Sequence, residues 1–197
     1  MKKNVFPALL PALALLAGCL GAPSPRPTLH SLAPLSAPAP LPEPAPGATP
    51  LYLLPVEIPH HLDRPQISVV SPDDPDILLA LERERWTAPL PDAVAATLWP
   101  ALAAALPAYA VQPRPSRTPP AGAATLRIAI LHLEGPLAGP VSLLADCTLS
   151  RPSAPPLRWL ANLSETPASP TLPAYILTLR SLVASLPSTI PADAQTP

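Results

Sequence analysis

Residues 125–149 read TLRIAILHLEGPLAGPVSLLADCTL, and the architecture is built around this stretch. Two aliphatic runs, 125–133 and 141–149, flank a linker rich in Gly and Pro. In the second run every other residue from Val141 to Leu149 is apolar, so one face of a strand there is buried and the other is mostly wet. The pattern predicts a β-hairpin.

Shorter strands and two helices are predicted on either side of this hairpin. Apolar runs bounded by Pro indicate strands at 51–58 and 66–71, with further strands at 77–81 and 157–163. Apolar residues recur at helical spacing in 90–106 and in 172–186. Pro100 falls inside the first helix and predicts a kink there or two shorter helices. The Pro-rich residues 112–121 indicate a surface loop.

These elements predict an α+β domain with a largely antiparallel sheet and two main helices packed on one face. We expect this domain at residues 51–190, followed by a C-terminal tail at 191–197. About 140 residues suffice to bury a core.

The composition excludes several classes of function. The chain has 197 residues with a formal net charge of -1, so it lacks the basic surface that nucleic-acid binding needs. Its 6 Gly residues form no dinucleotide fingerprint and no phosphate-binding loop, and no GxSxG nucleophile motif is present. We therefore predict a protein that is not an enzyme and has no cofactor.

The N-terminus has the layout of a secretory signal. A short basic start precedes an apolar run, which ends in Leu16-Ala17-Gly18-Cys19. This ending resembles the bacterial lipobox, which implies removal of residues 1–18 and acylation of Cys19. Several acyl chains on one residue give stable membrane anchoring. The resemblance also implies an outer-membrane location facing the periplasm, because Leu20 replaces the Asp that favours inner-membrane retention.

Residues 19–50 are predicted to be the lipidated Cys followed by a Pro- and Ala-rich linker. The chain holds 36 Pro, and their density in 22–50 favours the extended polyproline II conformation. At about 3.1 Å per residue this spacer spans about 90 Å when fully extended. A floppy tail with no spanning role is the alternative.

Three groups of polar residues invite a chemical interpretation that the sequence does not favour. His60 and His61 are adjacent, so on an extended chain they point to opposite sides and make a poor metal site. The carboxylates of residues 73, 74 and 76 lack the Gly and the distal Glu of a calcium loop, which favours a turn. With Cys19 acylated, Cys147 has no disulfide partner in the chain and is expected to be a small buried apolar residue.

Two further motifs carry a family resemblance. Residues 62–67 read LDRPQI, and residues 85–90 read RWTAPL immediately before the first predicted helix. Together with the lipobox they resemble the ABC-type transport auxiliary lipoproteins, the PqiC-like family. Thr87 and Ala88 differ from that family's pattern, which has Ala-Glu at these two positions.

The resemblance implies an adaptor without chemistry of its own. It would work with an MCE-domain protein, an ABC permease and an ATPase in moving phospholipid or another hydrophobic molecule between the two membranes, and it could form a homo-oligomer. The alternatives are a structural lipoprotein that scaffolds another envelope complex with no lipid cargo, and an envelope hydrolase, which the missing nucleophile motifs disfavour.

The motif residues are candidates for partner binding or for a structural role. Asp63 and Arg64 are expected to pair or to cap the turn, and Pro65 to fix the entry into the next strand at Gln66. The alternative is that Arg64, with Arg83 or Arg85, belongs to a partner-binding or self-assembly surface. Trp86 is interpreted as a core or edge anchor, although aromatic and Arg residues are enriched at interface hot spots.

Overall fold

The computed structural model describes residues 25–35, 43–152 and 154–194. Within these ranges the chain forms an α+β fold, as predicted from the sequence. After the last α-helix, short 3₁₀ helices lie at Leu186–Thr189 and Ala192–Ala194. In chain order the strands and α-helices are β1 Thr28–His30, β2 Thr49–Leu53, β3 Gln66–Val70, β4 Leu78–Trp86, α1 Leu90–Ala105, β5 Tyr109–Val111, β6 Ala124–Glu134, β7 Val141–Arg151, β8 Ala154–Glu165 and α2 Leu172–Ser185.

The larger sheet has five strands in the order β5-β2-β6-β7-β8. Strands β6, β7 and β8 are consecutive and antiparallel, which confirms the predicted hairpin and the strand after it. The hairpin needs glycine at one position, because a Cβ on Gly135 would lie 2.6 Å from the carbonyl oxygen of Pro140. The sequence between the strands therefore permits a close approach of the two chains that a side chain would block.

The core lies on one face of this sheet. Every second residue of β7 is at most 2% exposed, as the alternation predicts; these residues are Val141, Leu143, Ala145, Cys147 and Leu149. Helix α2 packs on β7 and β8, and helix α1 packs on α2 and β5. The buried stripe of α1 includes Val94, Leu98 and Leu102, which are at most 1% exposed.

Parallel pairs make the sheets more mixed than the sequence suggests. Strand β2 runs parallel to both β5 and β6. Long connections that include helix α1 separate these strands along the chain, and such crossovers permit parallel pairing. A second, three-stranded sheet has the order β1-β4-β3, in which β1 is parallel to β4. Short strand runs do not reveal pairings between distant segments, so the sequence did not predict these pairs.

Helix α1 continues through Pro100, so the alternative of two shorter helices is wrong. Proline removes one backbone hydrogen bond, whose acceptor is the carbonyl four residues earlier. That residue is Ala96, which lies on the exposed side of the helix, where water can solvate the carbonyl. The apolar contacts of the buried stripe on both sides of Pro100 stabilise the helix as one unit.

Part of the Pro-rich segment belongs to the folded domain. Residues Thr28–His30 form β1, and Leu32 is completely buried. The predicted spacer therefore does not run unbroken from 22 to 50, because residues 28–32 pair with β4 and pack on the core. Residues 1–24 and 36–42, and with them the predicted signal peptide and Cys19, lie outside the described residues.

The fold also extends slightly past the predicted end of the domain. Ala194 is fully buried, and the carbonyl oxygen of Asp193 accepts a hydrogen bond from Arg151 at 2.8 Å. Residues 192–194 thus pack on the domain, whereas 195–197 lie outside the described residues.

Candidate functional site

The LDRPQI motif forms a tight turn that ends at the start of β3. The backbone N–H groups of Leu62 and Asp63 both donate to the carbonyl oxygen of Pro59, at 2.9 and 3.1 Å. Leu62 is 4% exposed and fixes the turn to the core, while Asp63 and Arg64 are exposed. Backbone groups close the turn, and among the described residues neither charged side chain makes a hydrogen bond or ion pair.

The RWTAPL motif lies directly against this turn. Trp86 ends β4, and its backbone N–H donates to the carbonyl oxygen of Pro65 at 2.8 Å. Gln66 is paired with Arg85 across the two strands, whereas the next residue, Ile67, is paired with Leu81. The two motifs are about twenty residues apart in the sequence, and the fold joins them at one end of the small sheet.

Trp86 anchors this junction in the core. Its side chain is 8% exposed and belongs to the main cluster of buried residues, which fits its interpretation as a core anchor. Arg85 is half-buried, and its Nε lies 3.4 Å from the carbonyl oxygen of Glu82. Arg83 is exposed on the same strand.

A cleft opens where the two motifs meet. It has a volume of about 360 Å³, and it is lined by residues 63–65 and 86–89. Four of the six candidate motif residues therefore line one surface: Asp63, Arg64, Pro65 and Trp86. Gln66 and Arg85 lie next to it as a cross-strand pair. We call this surface the motif cleft.

A larger groove of about 640 Å³ adjoins the motif cleft and shares Asp63 and Pro89 with it. Its walls come from the first turns of α1 and from the loop after β5, which contributes Arg114 and Arg117. Two backbone hydrogen bonds hold that loop on β2: Gln112 N–H donates to Leu51 O, and Ser116 N–H donates to Leu53 O. The sequence marked this segment only as a surface loop; its two arginines were the available signal for a binding role.

The chemistry of the two grooves suits recognition. Pro and Ala make up most of the lining of the larger groove, and the charged groups of both grooves are exposed carboxylates and guanidinium groups. Among the described residues, no His, Cys or Lys lines either groove. Exposed Arg side chains beside apolar surface are typical of protein-binding sites.

The adjacent histidines do not act together. His61 lies 3.2 Å from a carboxylate oxygen of Glu134, whose other oxygen lies 3.2 Å from His132. His60 is not part of this arrangement, and residues 60–62 form a turn in place of the extended chain assumed from the sequence. Within the ranges that the structure describes, no group of three or more His, Cys, Asp or Glu residues is placed to hold a metal ion.

A line of ion pairs crosses the outer face of the larger sheet. Glu57 accepts from Arg127 at 2.9 Å, and Asp146 accepts two hydrogen bonds from Arg158 at 2.8 and 2.7 Å. Arg127 lies 3.9 Å from Asp146 and links the two pairs. The hydrogen bonds from Arg158 hold the pKa of Asp146 below its usual value. These partners satisfy one another, so we assign them a role in the fold.

Cys147 is placed as the sequence predicts. It is 2% exposed on the buried face of β7 and forms no disulfide. Burial, together with the neighbouring charge of Asp146, raises the pKa of the thiol to about 12. Cys147 is therefore a protonated core residue at neutral pH and contributes nothing to the site.

Comparisons with known proteins agree with this architecture. One crystal structure of an uncharacterized protein aligns with 83% of this chain and 95% of its own length, with a TM-score of 0.66 and 16% identity. The protein XCC0632 from Xanthomonas campestris, of the family DUF330, aligns with 83% of this chain and 89% of its own, with a TM-score of 0.56 and 15% identity. At these identities the likeness concerns the fold alone.

The search of curated proteins found no match. In the described parts of the chain, neither helix has the length and apolar character needed to cross a membrane. A family model described as ABC-type transport auxiliary lipoprotein component matches residues 34–190, which include both motifs and the whole motif cleft. The chain therefore belongs to the family of ABC-type transport auxiliary lipoprotein components.

Proposed function

We propose that this protein is an outer-membrane lipoprotein that faces the periplasm and serves as an adaptor of an MCE-type ABC transport system. Cys19 carries the acyl chains, and the folded domain binds the MCE-domain protein that connects to the permease and the ATPase. The adaptor performs no catalysis itself. The system moves phospholipid or another hydrophobic molecule between the two membranes.

The observation that carries this proposal is the meeting of the two motifs in one exposed cleft. A hydrogen bond from Trp86 N–H to Pro65 O joins the turn of residues 62–65 to the end of β4. This junction positions Asp63 and Arg64 beside the apolar wall of the cleft. Charged side chains without internal partners are available to a binding partner. Trp86 and Leu62 hold the wall rigid from beneath.

The shape of the site favours an adaptor over a lipid carrier. Most residues lining the motif cleft and the adjoining groove are exposed, so both surfaces are open to water. An acyl chain bound there would remain largely hydrated, which forfeits most of its hydrophobic transfer free energy. A protein segment with its own polar groups fits such a surface better.

Crosslinked affinity purification of the tagged, membrane-extracted lipoprotein tests the proposal, with mass spectrometry of co-purifying proteins and lipids. We expect recovery of an MCE-domain protein with its ATPase. Recovery of secretion or cell-wall components without them would favour the alternative, a lipoprotein that scaffolds another envelope complex with no lipid cargo. Turnover by the purified protein that one Ser or Asp substitution abolishes would contradict the adaptor role.

A pair of variants locates the interface. Arg64→Glu reverses a charge in the motif cleft, and Glu165→Lys reverses an exposed charge at the end of β8 in the other sheet. We expect Arg64→Glu to lower partner recovery by at least about tenfold, equivalent to about 1.4 kcal/mol, while the control keeps wild-type recovery. Equal recovery from both variants would exclude Arg64 from the interface. Degradation of Arg64→Glu in cells would assign Arg64 to the scaffold instead.

A further inference from the structure

We propose that residues 28–32 act as a clasp that holds the folded domain close to the membrane carrying its anchor, instead of leaving it at the end of a long spacer. This inference rests on the acylation of Cys19 in the proposed function and adds the distance at which the adaptor works. It follows from how firmly the described part of the Pro-rich segment is attached to the domain.

Backbone pairing makes the first attachment. Strand β1 runs parallel to β4, with Thr28 opposite Glu84 and His30 opposite Trp86. The carbonyl oxygen of His30 accepts a hydrogen bond from the N–H of Thr87 at 2.9 Å. His30 Nε2 also lies 2.6 Å from a carboxylate oxygen of Glu84. The clasp is thus bonded to the strand that forms one wall of the motif cleft.

Burial of one leucine makes the second attachment. Leu32 is 0% exposed and belongs to the main core cluster, whereas Leu35, three residues later, is 86% exposed. Full burial of a leucine side chain contributes a favourable free energy that an exposed leucine does not. The two leucines therefore form a natural pair for experiment, since they share a segment and differ in burial.

Helix α2 makes the third attachment. The guanidinium group of Arg180 donates from Nε to the carbonyl oxygen of Leu32 at 2.7 Å and from its NH2 nitrogen to that of Ser31 at 3.0 Å. Arg180 lies about 150 positions further along the chain. Hydrogen bonds from a charged donor are stronger than those between neutral groups, so this link fixes the segment firmly.

The clasp shortens the connection to the membrane. Thr28 lies nine positions after Cys19, and a fully extended chain advances about 3.6 Å per position at most, so the clasp lies within about 30 Å of the acylated residue. Without the clasp, the first strand of the domain would be Thr49–Leu53, and the connection would reach about 90 Å. A partner must therefore approach the membrane closely to meet this adaptor.

Neutron reflectometry on the full lipoprotein in a supported bilayer of phosphatidylethanolamine with some phosphatidylglycerol tests the distance. For the wild type we expect domain density to begin within about 30 Å of the headgroups. The double variant Leu32→Asp, Arg180→Ala opens the clasp, and we expect its density to extend well beyond that distance. Leu35→Asp adds the same charge at an exposed position and should match the wild type. A wild-type layer as extended as that of the double variant would overturn the proposal.

Hydrogen exchange supplies a readout that does not depend on the bilayer. In the same full-length protein in detergent, the amide of Thr87 should be protected in the wild type and in Leu35→Asp, and should exchange at least about tenfold faster in the milder variant Arg180→Ala, while amides of β7 keep their protection. Unchanged protection at Thr87 would contradict the clasp.

Mass spectrometry of Cys19 separates the two proposals. An acylated protein whose domain lies far from the bilayer would overturn the clasp and leave the adaptor function intact. Absence of acyl chains would overturn the anchoring in the proposed function, and the membrane distance with it.

Discussion

The two sheets of this protein are built in different ways. Strands β6, β7 and β8 follow one another along the chain and pair antiparallel through short connections. The three-stranded sheet instead takes β1 from the Pro-rich segment, more than fifty residues before its partner β4. Strands β6, β7 and β8 thus form a local frame, which β2 joins through a distant parallel pair. Strand β1 depends entirely on distant contacts and lies beside the motif cleft.

The largest expected difference in stability is between substitutions of two leucines that are each 0% exposed. Leu143 lies near the start of β7, and Leu32 lies in the clasp. Leu143→Ala should lower the free energy of unfolding by about 2–5 kcal/mol, because it leaves a cavity in the central core. Leu32→Ala should lower it by less, because release of residues 28–32 alone relieves the defect.

Chemical denaturation with far-UV circular dichroism measures both changes. Leu160→Ala is the control in the frame, since Leu160 is 64% exposed, and we expect a change within about 0.5 kcal/mol. A larger loss for Leu32→Ala than for Leu143→Ala would contradict the distinction between the local frame and the clasp.

The link between α2 and β3 should have a smaller effect. The hydroxyl of Tyr175 is buried and donates to the backbone oxygen of Ser68 at 3.1 Å, and burial raises the pKa of this tyrosine. Tyr175→Phe should lower the free energy of unfolding by about 1 kcal/mol. Its melting temperature, compared with the wild type, measures the loss.

Ser68 itself provides the contrast. Its side-chain oxygen is buried and has no hydrogen-bond partner among the described residues. Ser68→Ala removes this unsatisfied group and keeps the backbone acceptor, so we expect stability to stay equal or to rise. If Ser68→Ala destabilised the protein more than Tyr175→Phe, the assignment of the hydrogen bond would be wrong.

Acidification tests the ion pairs on the frame. Arg158 lowers the pKa of Asp146 below its usual value, so this carboxylate stabilises the fold above that usual pKa and loses its contribution as the pH falls through the folded-state pKa. Asp146→Asn should be less stable than the wild type at neutral pH, and the difference should shrink below about pH 4. Asp63→Asn, at an exposed site that makes no ion pair among the described residues, should leave the stability at neutral pH unchanged. A constant difference across the acid range would exclude this role for Asp146.

The last prediction concerns the reactivity of Cys147 and requires no substitution. Because burial raises the thiol pKa to about 12, the native protein should react with iodoacetamide far more slowly than the unfolded protein at pH 8. Intact mass against time in native buffer and in guanidinium chloride provides the measurement. Rapid labelling of the native protein would show that β7 opens readily and would weaken the claim of a rigid frame.

The frame was predictable from the sequence because its signals are local. Alternation in 141–149, the Gly- and Pro-containing linker before it and the helical spacing in 172–186 each predict an element where the structure has one. Strand β4 extends to Trp86, whereas the predicted strand ended at residue 81. The second half of β4 was missed because residues 82–85 are all charged. Charge alternation along an exposed strand is easily interpreted as a solvated surface.

The clasp and the adjoining groove could not be predicted from the sequence. Burial of Leu32 depends on Arg180 and on β4, all far away in the sequence, and nothing local distinguishes it from Leu35. The residues of the motif cleft were partly predictable, because the motifs LDRPQI and RWTAPL are recognisable in the sequence. Their junction through Pro65 and Trp86 depends on the pairing of β3 with β4.

Site-specific photo-crosslinking in cells tests the central claim most directly. A photoreactive residue at Thr87 reports on the motif cleft, and one at Asn162, an exposed position of β8, reports on the frame. We expect the residue at Thr87 to capture an MCE-domain protein and the residue at Asn162 not to capture it. Capture of that protein from Asn162 alone would contradict the assignment of partner binding to the motif cleft.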